Sequence, residues 1–389
     1  MNDRELSDRF YDSVDTFIQM VGAERVSKTD VYFRISRAAI GTNIDYSEMT
    51  RIVAGIKSFY TWYDAWAKSA DKYLLIAQTA EQRGFLVTAG ENYLRTALLF
   101  HYAQLFTRPE DPRRMEGQNN RVAYYRKACP YLSPPVEEAW IDFGNVRMPG
   151  YLRLPDHAQK PNVVIMIPGA NSVKEELHNW GWEFNQRGLA TLIFDGPGQG
   201  ELSLFNGGLP LRLETYHEAV SAVIDYLQRR ADVDTSRIIA WGQSTGGQLA
   251  IRSAAKDDRI FAAVSLGGGY DFRMEITPTT PADVWEEARD LYGFEDFTRA
   301  KMYIIQEGSL EGIAEKVKCP LLLIHGAKDN IVAMEEIDRI KRESKEQTDV
   351  LIYDQGNHSV CNYNLEMRAD MADWVLNQLK KKAGKGGDN

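Results

Sequence analysis

The stretch IIAWGQSTGG, residues 238–247, decides the fold. Ile238 to Trp241 form a short apolar run, as a strand buried on both faces requires. The run QLAIRSAA, residues 248–255, reads as a helix. Between them stands Gly242-Gln243-Ser244-Thr245-Gly246, a G-x-S-x-G pattern. A sharp strand-to-helix turn drives its serine into a strained backbone conformation, and the flanking glycines remove the clashes. The turn lifts the hydroxyl above the sheet edge. It also sets the N–H of Thr245 at the positive end of the helix. A chance pattern in a plain turn would lack the strand before it and the helix after it.

Strands and helices alternate on both sides of this turn. Val136–Phe143 and Tyr151–Leu154 predict a leading antiparallel pair. Val163–Ile167, Thr191–Phe194, Phe261–Leu266, Leu321–Ile324 and Val350–Tyr353 predict further strands. Ser172 and Glu175 have capping-box spacing and predict a helix start. Val220, Val223, Ile224 and Leu227 mark one helical face, and Met367–Leu379 reads as the last helix. Such alternation predicts an α/β fold with a mostly parallel, doubly wound sheet.

A serine hydroxyl needs a base to attack at neutral pH. His358, in DQGNHSV, follows the last predicted strand and is the candidate base. His325 ends a strand and reads as packed. His217 and His101 lie on predicted helices, His157 in a polar loop. His178 follows the turn after Val163–Ile167 and is a candidate to face a substrate. The acid that orients the base should stand at a strand end. Asp329, in LLLIHGAKDNIV, fits and gives the chain order Ser, Asp, His. Asp271, in LGGGYDF, is its rival. Asp195, in FDGPGQGE, reads as a residue that shapes its own loop. Acyl attack puts negative charge on the carbonyl oxygen, so donors are needed. The turn Pro168-Gly169-Ala170-Asn171 offers the backbone N–H of Ala170, and the elbow offers that of Thr245.

The region before residue 133 is helical. Ile52, Ile56, Phe59, Tyr63 and Trp66 predict one continuous face, and Leu94, Leu98, His101 and Leu105 another. RPEDPRR, residues 108–114, breaks this second run and opens a helix ending near Cys129. Pro134-Pro135 closes the region. The expected division is therefore a helical domain, 1–133, and a catalytic domain, 134–389.

The chain has 389 residues and a formal net charge of −9, so nucleic acid is not an expected partner. Its start lacks the basic and apolar pattern of a signal peptide, and no apolar stretch is long enough to span a membrane. Its 3 cysteines are scattered and show no metal-ligand spacing. A cytoplasmic protein with no metal, no cofactor and no membrane association is expected.

The pieces PGANSVKEE, FDGPGQGE, WGQSTGG, HGAKDNIV and GNHS, in this order, resemble one branch of the α/β-hydrolases. That branch contains 2,6-dihydroxypseudooxynicotine hydrolase and the fermentation-respiration-switch esterase-like proteins, with fungal polyketide-shortening hydrolases nearby. ENYLRTALLFHYAQLF weakly resembles its N-terminal cap helix. The resemblance implies an α/β-hydrolase fold with an N-terminal helical cap, and a homodimer. It carries the triad onto Ser244, Asp329 and His358, and the oxyanion donors onto Ala170 and Thr245. It also implies a substrate-binding glutamate at Glu275. The turn reads PGA where the branch commonly has a glycine pair.

The function it implies is hydrolysis of a carbon–carbon bond beside a ketone, in a small β-diketone or acylated hydroxy-aromatic substrate. The alternative is an esterase, thioesterase or amidase using the same groups. A non-catalytic binding protein on the same fold is the third reading, and the intact triad argues against it.

Overall fold

The computed structural model describes residues 2–26, 44–105, 107–275, 280, 282–344 and 347–383. Among these the chain divides into two compact units. One runs to Glu137 and is helical. The other holds a single eight-stranded sheet, in the order β1-β2-β4-β3-β5-β6-β7-β8.

The strands are β1 (Val136–Phe143), β2 (Val146–Arg153), β3 (Asn162–Ile167), β4 (Ala190–Phe194), β5 (Asp234–Gln243), β6 (Ile260–Leu266), β7 (Leu321–Gly326) and β8 (Thr348–Tyr353). Only the first part is antiparallel, with β2 against β4. From β4 to β8 every neighbouring pair is parallel. Sequence pattern and position agree. All five residues of β4, and all of β3 after Asn162, are buried, which is why they read as continuous apolar runs. β1, at the sheet edge, instead mixes buried and exposed positions.

The winding reverses next to β3. The chain goes from β3 outward to β4, then returns to β5 on the other side and proceeds to β8. Loops leaving the carboxyl ends of β3 and β5 therefore part in opposite directions and leave a crevice, where ligands bind in open α/β sheets.

In the helical unit the helices are Asp3–Val21, Tyr46–Gly55, Trp62–Gln82, Leu86–Leu105 and Pro112–Ala128, with a short turn of helix at Ala23–Val26. Side chains set their starts: Asn2 and Glu5 form a capping box, Asp45 accepts from the Ser47 and Glu48 N–H groups, and Asp111 accepts from that of Arg113. The core includes Trp66, with its ring 5.5 Å from Trp62 and 5.7 Å from Tyr102.

Two sequence expectations are corrected. The apolar positions from Ile52 to Trp66 are not one helix face. Helix ends at Gly55, and Ser58 starts a separate turn, with its hydroxyl accepting from Tyr60 N–H and donating to Asp15 at 2.6 Å. Ser172 and Glu175 do not open a helix; the next one is His178–Asn185. The Glu175 carboxylate lies 3.2 Å from the Arg121 guanidinium instead. A buried arginine outcompetes a capping role worth about 1 kcal/mol. Residues Glu175–Asn179 accordingly group with the helical unit, although sequence assigns them to the second domain.

Candidate active site

Three of the predicted residues come together from three strand ends. Ser244 directly follows β5, Asp329 follows β7 and His358 follows β8. Ser244 has φ 55° and ψ −123°, outside the ordinary wells of an L-residue. Such a conformation costs on the order of 1–3 kcal/mol. The fully buried Val164, Ile165, Met166 and Ile167 of the adjacent β3 outweigh it, since each such side chain contributes about 1.5–3 kcal/mol. The turn is also tied down by the Ser244 N–H, which donates to Leu266 O at 2.8 Å. Gly242 and Gly246 have no room for a side chain. A Cβ on Gly242 would strike the Gly246 carbonyl, and one on Gly246 the carbonyls of Ile167 and Pro168.

The Ser244 Oγ lies 2.9 Å from His358 Nε2, and His358 Nδ1 lies 2.8 Å from Asp329 Oδ2. Asp329 Oδ1 accepts from the backbone N–H of Ile331 at 2.8 Å and of Val332 at 3.0 Å. Burial would raise the Asp329 pKa, but the neighbouring His358 and these backbone donors more than offset it and hold the carboxyl below its ordinary range. The site thus has a carboxylate paired with an imidazole that faces a hydroxyl. After His358 the chain passes through two consecutive left-handed residues, Ser359 at φ 56° and Val360 at φ 52°. A β-branched residue there is strained. His325, at the end of β7, is fully buried with Nδ1 3.7 Å from Asp329 Oδ2, beyond hydrogen-bond reach. Burial pushes its imidazole pKa down, which favours the neutral ring.

The turn after β3 abuts the elbow. A Cβ on Gly169 would lie 3.4 Å from Ser244 Cβ and 3.1 Å from Gln243 O. Thr245 is the first residue of the helix Thr245–Ala254, so its N–H has no acceptor within that helix. Among the described residues no acceptor takes the N–H of Ala170 or of Thr245. Two donors therefore flank Ser244.

Behind this turn stand residues that the sequence did not single out. Gln199 Nε2 donates to Pro168 O at 2.6 Å, and Tyr216 OH donates to Gln199 Oε1 at 2.6 Å. Lys174, fully buried, places its ammonium 2.8 Å from Asp195 and 2.6 Å from Glu201. Asp195 also accepts from the Lys174 N–H and the Glu201 N–H, so it shapes its loop as expected. The Lys174 ammonium thus bridges these two carboxylates. FDGPGQGE was the visible signal for Gln199, but its role depends on a partner at Tyr216 that no motif ties to it.

Other predicted residues lie differently. Asp271, the rival acid, holds Arg273, accepting from its backbone N–H at 3.0 Å and its Nε at 2.7 Å. Glu275 ends a short turn, Phe272–Glu275, and its side chain lies outside the described residues. His178 is buried in the helical unit, with Nδ1 2.7 Å from Tyr125 OH. His101, also buried, lies 3.5 Å from Glu176, which accepts from Tyr102 OH at 2.8 Å.

Comparison with known proteins adds the following. Residues 3–272 match the family described as FrsA-like esterases, and residues 182–382 match the prolyl oligopeptidase family. The 2,6-dihydropseudooxynicotine hydrolase of Paenarthrobacter nicotinovorans is 31% identical over 340 residues, 86% of this chain and 89% of that protein. The 20-hydroxy-prefusarin hydrolase of Gibberella moniliformis is 30% identical over 321 residues, 72% of this chain and 76% of that protein. Other fungal hydrolases align over 51%, 64% and 54% of their own length. The crystal structure of 2,6-dihydroxy-pseudo-oxynicotine hydrolase superposes with a TM-score of 0.79 at 30% identity, covering 87% of this chain and 94% of that one.

Proposed function

Because the chain belongs to the FrsA-like esterase family and is a hydrolase of the α/β-hydrolase type, we propose that it works through a Ser244–His358–Asp329 triad and an acyl-enzyme. The observation that carries this reading is the unbroken hydrogen-bond path from Ser244 Oγ through His358 to Asp329, with the serine held strained above the sheet edge.

His358 takes the Ser244 proton as Oγ adds to the substrate carbonyl. Charge collects on the carbonyl oxygen, within reach of the Ala170 and Thr245 N–H groups. Asp329 keeps the His358 tautomer and stabilises its cation. The tetrahedral intermediate collapses, and His358 gives its proton to the departing group. Water, deprotonated by His358, then releases the acid and restores Ser244.

The bond we propose is a carbon–carbon bond beside a ketone. The leaving carbon must then be stabilised, as in a β-diketone or an acylated dihydroxy-aromatic ring. Two relatives are named for hydrolysis of a pseudooxynicotine and of a prefusarin, so the choice rests on the resemblance to that branch and on the chemistry of such substrates. The ester reading is second and is favoured by the family's own description. Glu275 separates them. A carboxylate that orients a ketone substrate through a hydroxyl matters for a poor carbon leaving group and little for an activated ester. Glu275→Gln is expected to slow cleavage of an acyl-dihydroxyaromatic ketone on the order of tenfold or more and to leave p-nitrophenyl acetate turnover nearly unchanged. Equal effects on both substrates remove Glu275 from the mechanism. A wild-type enzyme that cleaves esters and none of a panel of such ketones overturns the carbon–carbon reading.

A further inference from the structure

We infer that Gln199 and Tyr216 form a positioning relay behind the turn after β3, which aims the Ala170 N–H at the reacting carbonyl oxygen. This rests on the preceding assignment of that N–H as an oxyanion donor.

The peptide group joining Gly169 to Ala170 is planar, and in its trans form the carbonyl oxygen and the N–H point in opposite directions. Whatever grips Gly169 O therefore aims Ala170 N–H. Among the described residues two groups reach that oxygen: the Ser172 N–H, at 3.3 Å, and Gln199 Nε2, at 3.5 Å. The same Nε2 makes its short bond, 2.6 Å, to the preceding carbonyl, Pro168 O. One side-chain amide thus spans both carbonyls of the turn. On the other side lies the elbow, since a Cβ on Gly169 would come within 3.1 Å of Gln243 O and 3.4 Å of Ser244 Cβ. The turn thus lies between the elbow in front and a hydrogen-bond donor behind.

The direction of the amide is itself determined. Gln199 Oε1 accepts from Tyr216 OH at 2.6 Å and from the Gly196 N–H at 3.2 Å. The Gly196 N–H can only donate. Rotating the amide by half a turn would set its NH2 against that N–H and leave Pro168 O facing an oxygen. Tyr216 lies at the start of the helix Tyr216–Gln228. Gly196 passes so close that a Cβ there would collide with the tyrosine oxygen. Gln199 and Tyr216 are 1% and 2% exposed, and the polar atoms of both are bonded to the protein itself. Burial, with Asp195 nearby, raises the Tyr216 pKa well above its ordinary value, so the hydroxyl keeps the proton it donates.

Two effects follow for the reaction. Oxyanion donors act within a narrow distance window, so a tilt of the peptide plane weakens the bond formed in the transition state more than any bond in the ground state. Hydrogen bonds to a peptide carbonyl also polarise that peptide and strengthen its N–H as a donor. Losing the relay lowers kcat through both effects and leaves substrate affinity nearly alone. A purely structural role would lower thermal stability without that selectivity.

The experiment compares Gln199→Met, which keeps length and loses the donor, with Tyr216→Phe, which loses one oxygen. Each is assayed on p-nitrophenyl acetate and titrated with an aryl trifluoromethyl ketone, which forms a tetrahedral oxyanion adduct with a serine nucleophile. Gln199→Met is expected to lower kcat roughly ten- to thirtyfold with KM within about twofold, and to weaken the trifluoromethyl ketone by the same factor as kcat. Tyr216→Phe should give about three- to fivefold in the same direction, and the double variant should be no worse than Gln199→Met, because the tyrosine acts through the glutamine. Should Gln199→Met fail to fold, Tyr216→Phe carries the test alone. The relay is overturned if kcat and ketone affinity stay at wild-type values, if kcat and KM change together, or if the two substitutions multiply. Ser244→Ala is the control for the underlying reading. If it retains turnover, the triad assignment falls; if it abolishes turnover while the Gln199 and Tyr216 variants stay flat, the relay alone falls.

Discussion

In the sheet unit the buried Asp329 carboxylate is held by two backbone N–H groups and one imidazole. In the helical unit the buried Glu48 carboxylate is held by three side chains: Ser69 OH, the Lys72 ammonium at 3.0 Å and the Arg51 guanidinium at 2.5 Å. Both groups are held below their ordinary pKa, against burial that would raise it. The donors differ in origin. Backbone donors come with the turn, so any sequence that makes the turn supplies them. Side-chain donors require that particular residues on two helices meet. The first kind of site is written locally in the sequence. The second exists only after packing.

That contrast is broken first by the nucleophile. Ser244→Ala is expected to fold normally and lose turnover by on the order of 10⁵-fold or more, with His358→Ala nearly as severe and the double variant little worse than either. Circular dichroism with steady-state kinetics reads both. Turnover within tenfold of wild type would remove the sheet-edge site from the chemistry.

A second pair of variants sharpens the comparison inside the sheet unit. Asp329→Asn should lower kcat about 10⁴-fold, because the amide presents the wrong group to His358. Asp271→Asn should leave kcat within about twofold, since its carboxylate serves Arg273 and not the base. If the two results change places, the acid is Asp271.

The smallest effect belongs to the helical unit. Glu48→Gln should leave kcat unchanged and destabilise the protein by about 1–3 kcal/mol at neutral pH. The folded pKa of Glu48 is lowered from 4.5 to about 2, so its contribution is complete above 4.5 and is lost as the pH falls toward 2. The Tm gap between wild type and variant, followed by calorimetry, should therefore close between those two values. A gap that stays constant across the window would mean that packing, not charge, gives Glu48 its effect.

The same division explains what was legible. The strands and their mostly parallel arrangement follow from apolar runs that alternate with helices, because strands buried on both faces leave no polar residues to confuse the pattern. Ser244, Asp329 and His358 could be named because each stands at a strand end in a short motif. The break at Lys57–Ser58 was not visible, since its apolar spacing continues the helical period and only the Asp15 contact marks it. The helix start at His178 was missed because Glu175 answers to Arg121, 54 residues earlier in the chain. The Gln199–Tyr216 pair was missed for a similar reason: the glycine-rich loop shows that something is tight there and not which side chain it is tight against.

Gly242 and Gly246 bear on how this enzyme can change. Every codon change that replaces either glycine adds at least one carbon where a backbone carbonyl already stands. Neither position offers a graded series of variants, because the smallest available step is already a collision. A laboratory search for new substrates that spreads mutations evenly would spend part of its library on dead sequences at the elbow. The paths open to such a search run through positions whose side chains point away from the turn, and the attacking apparatus travels along those paths unaltered.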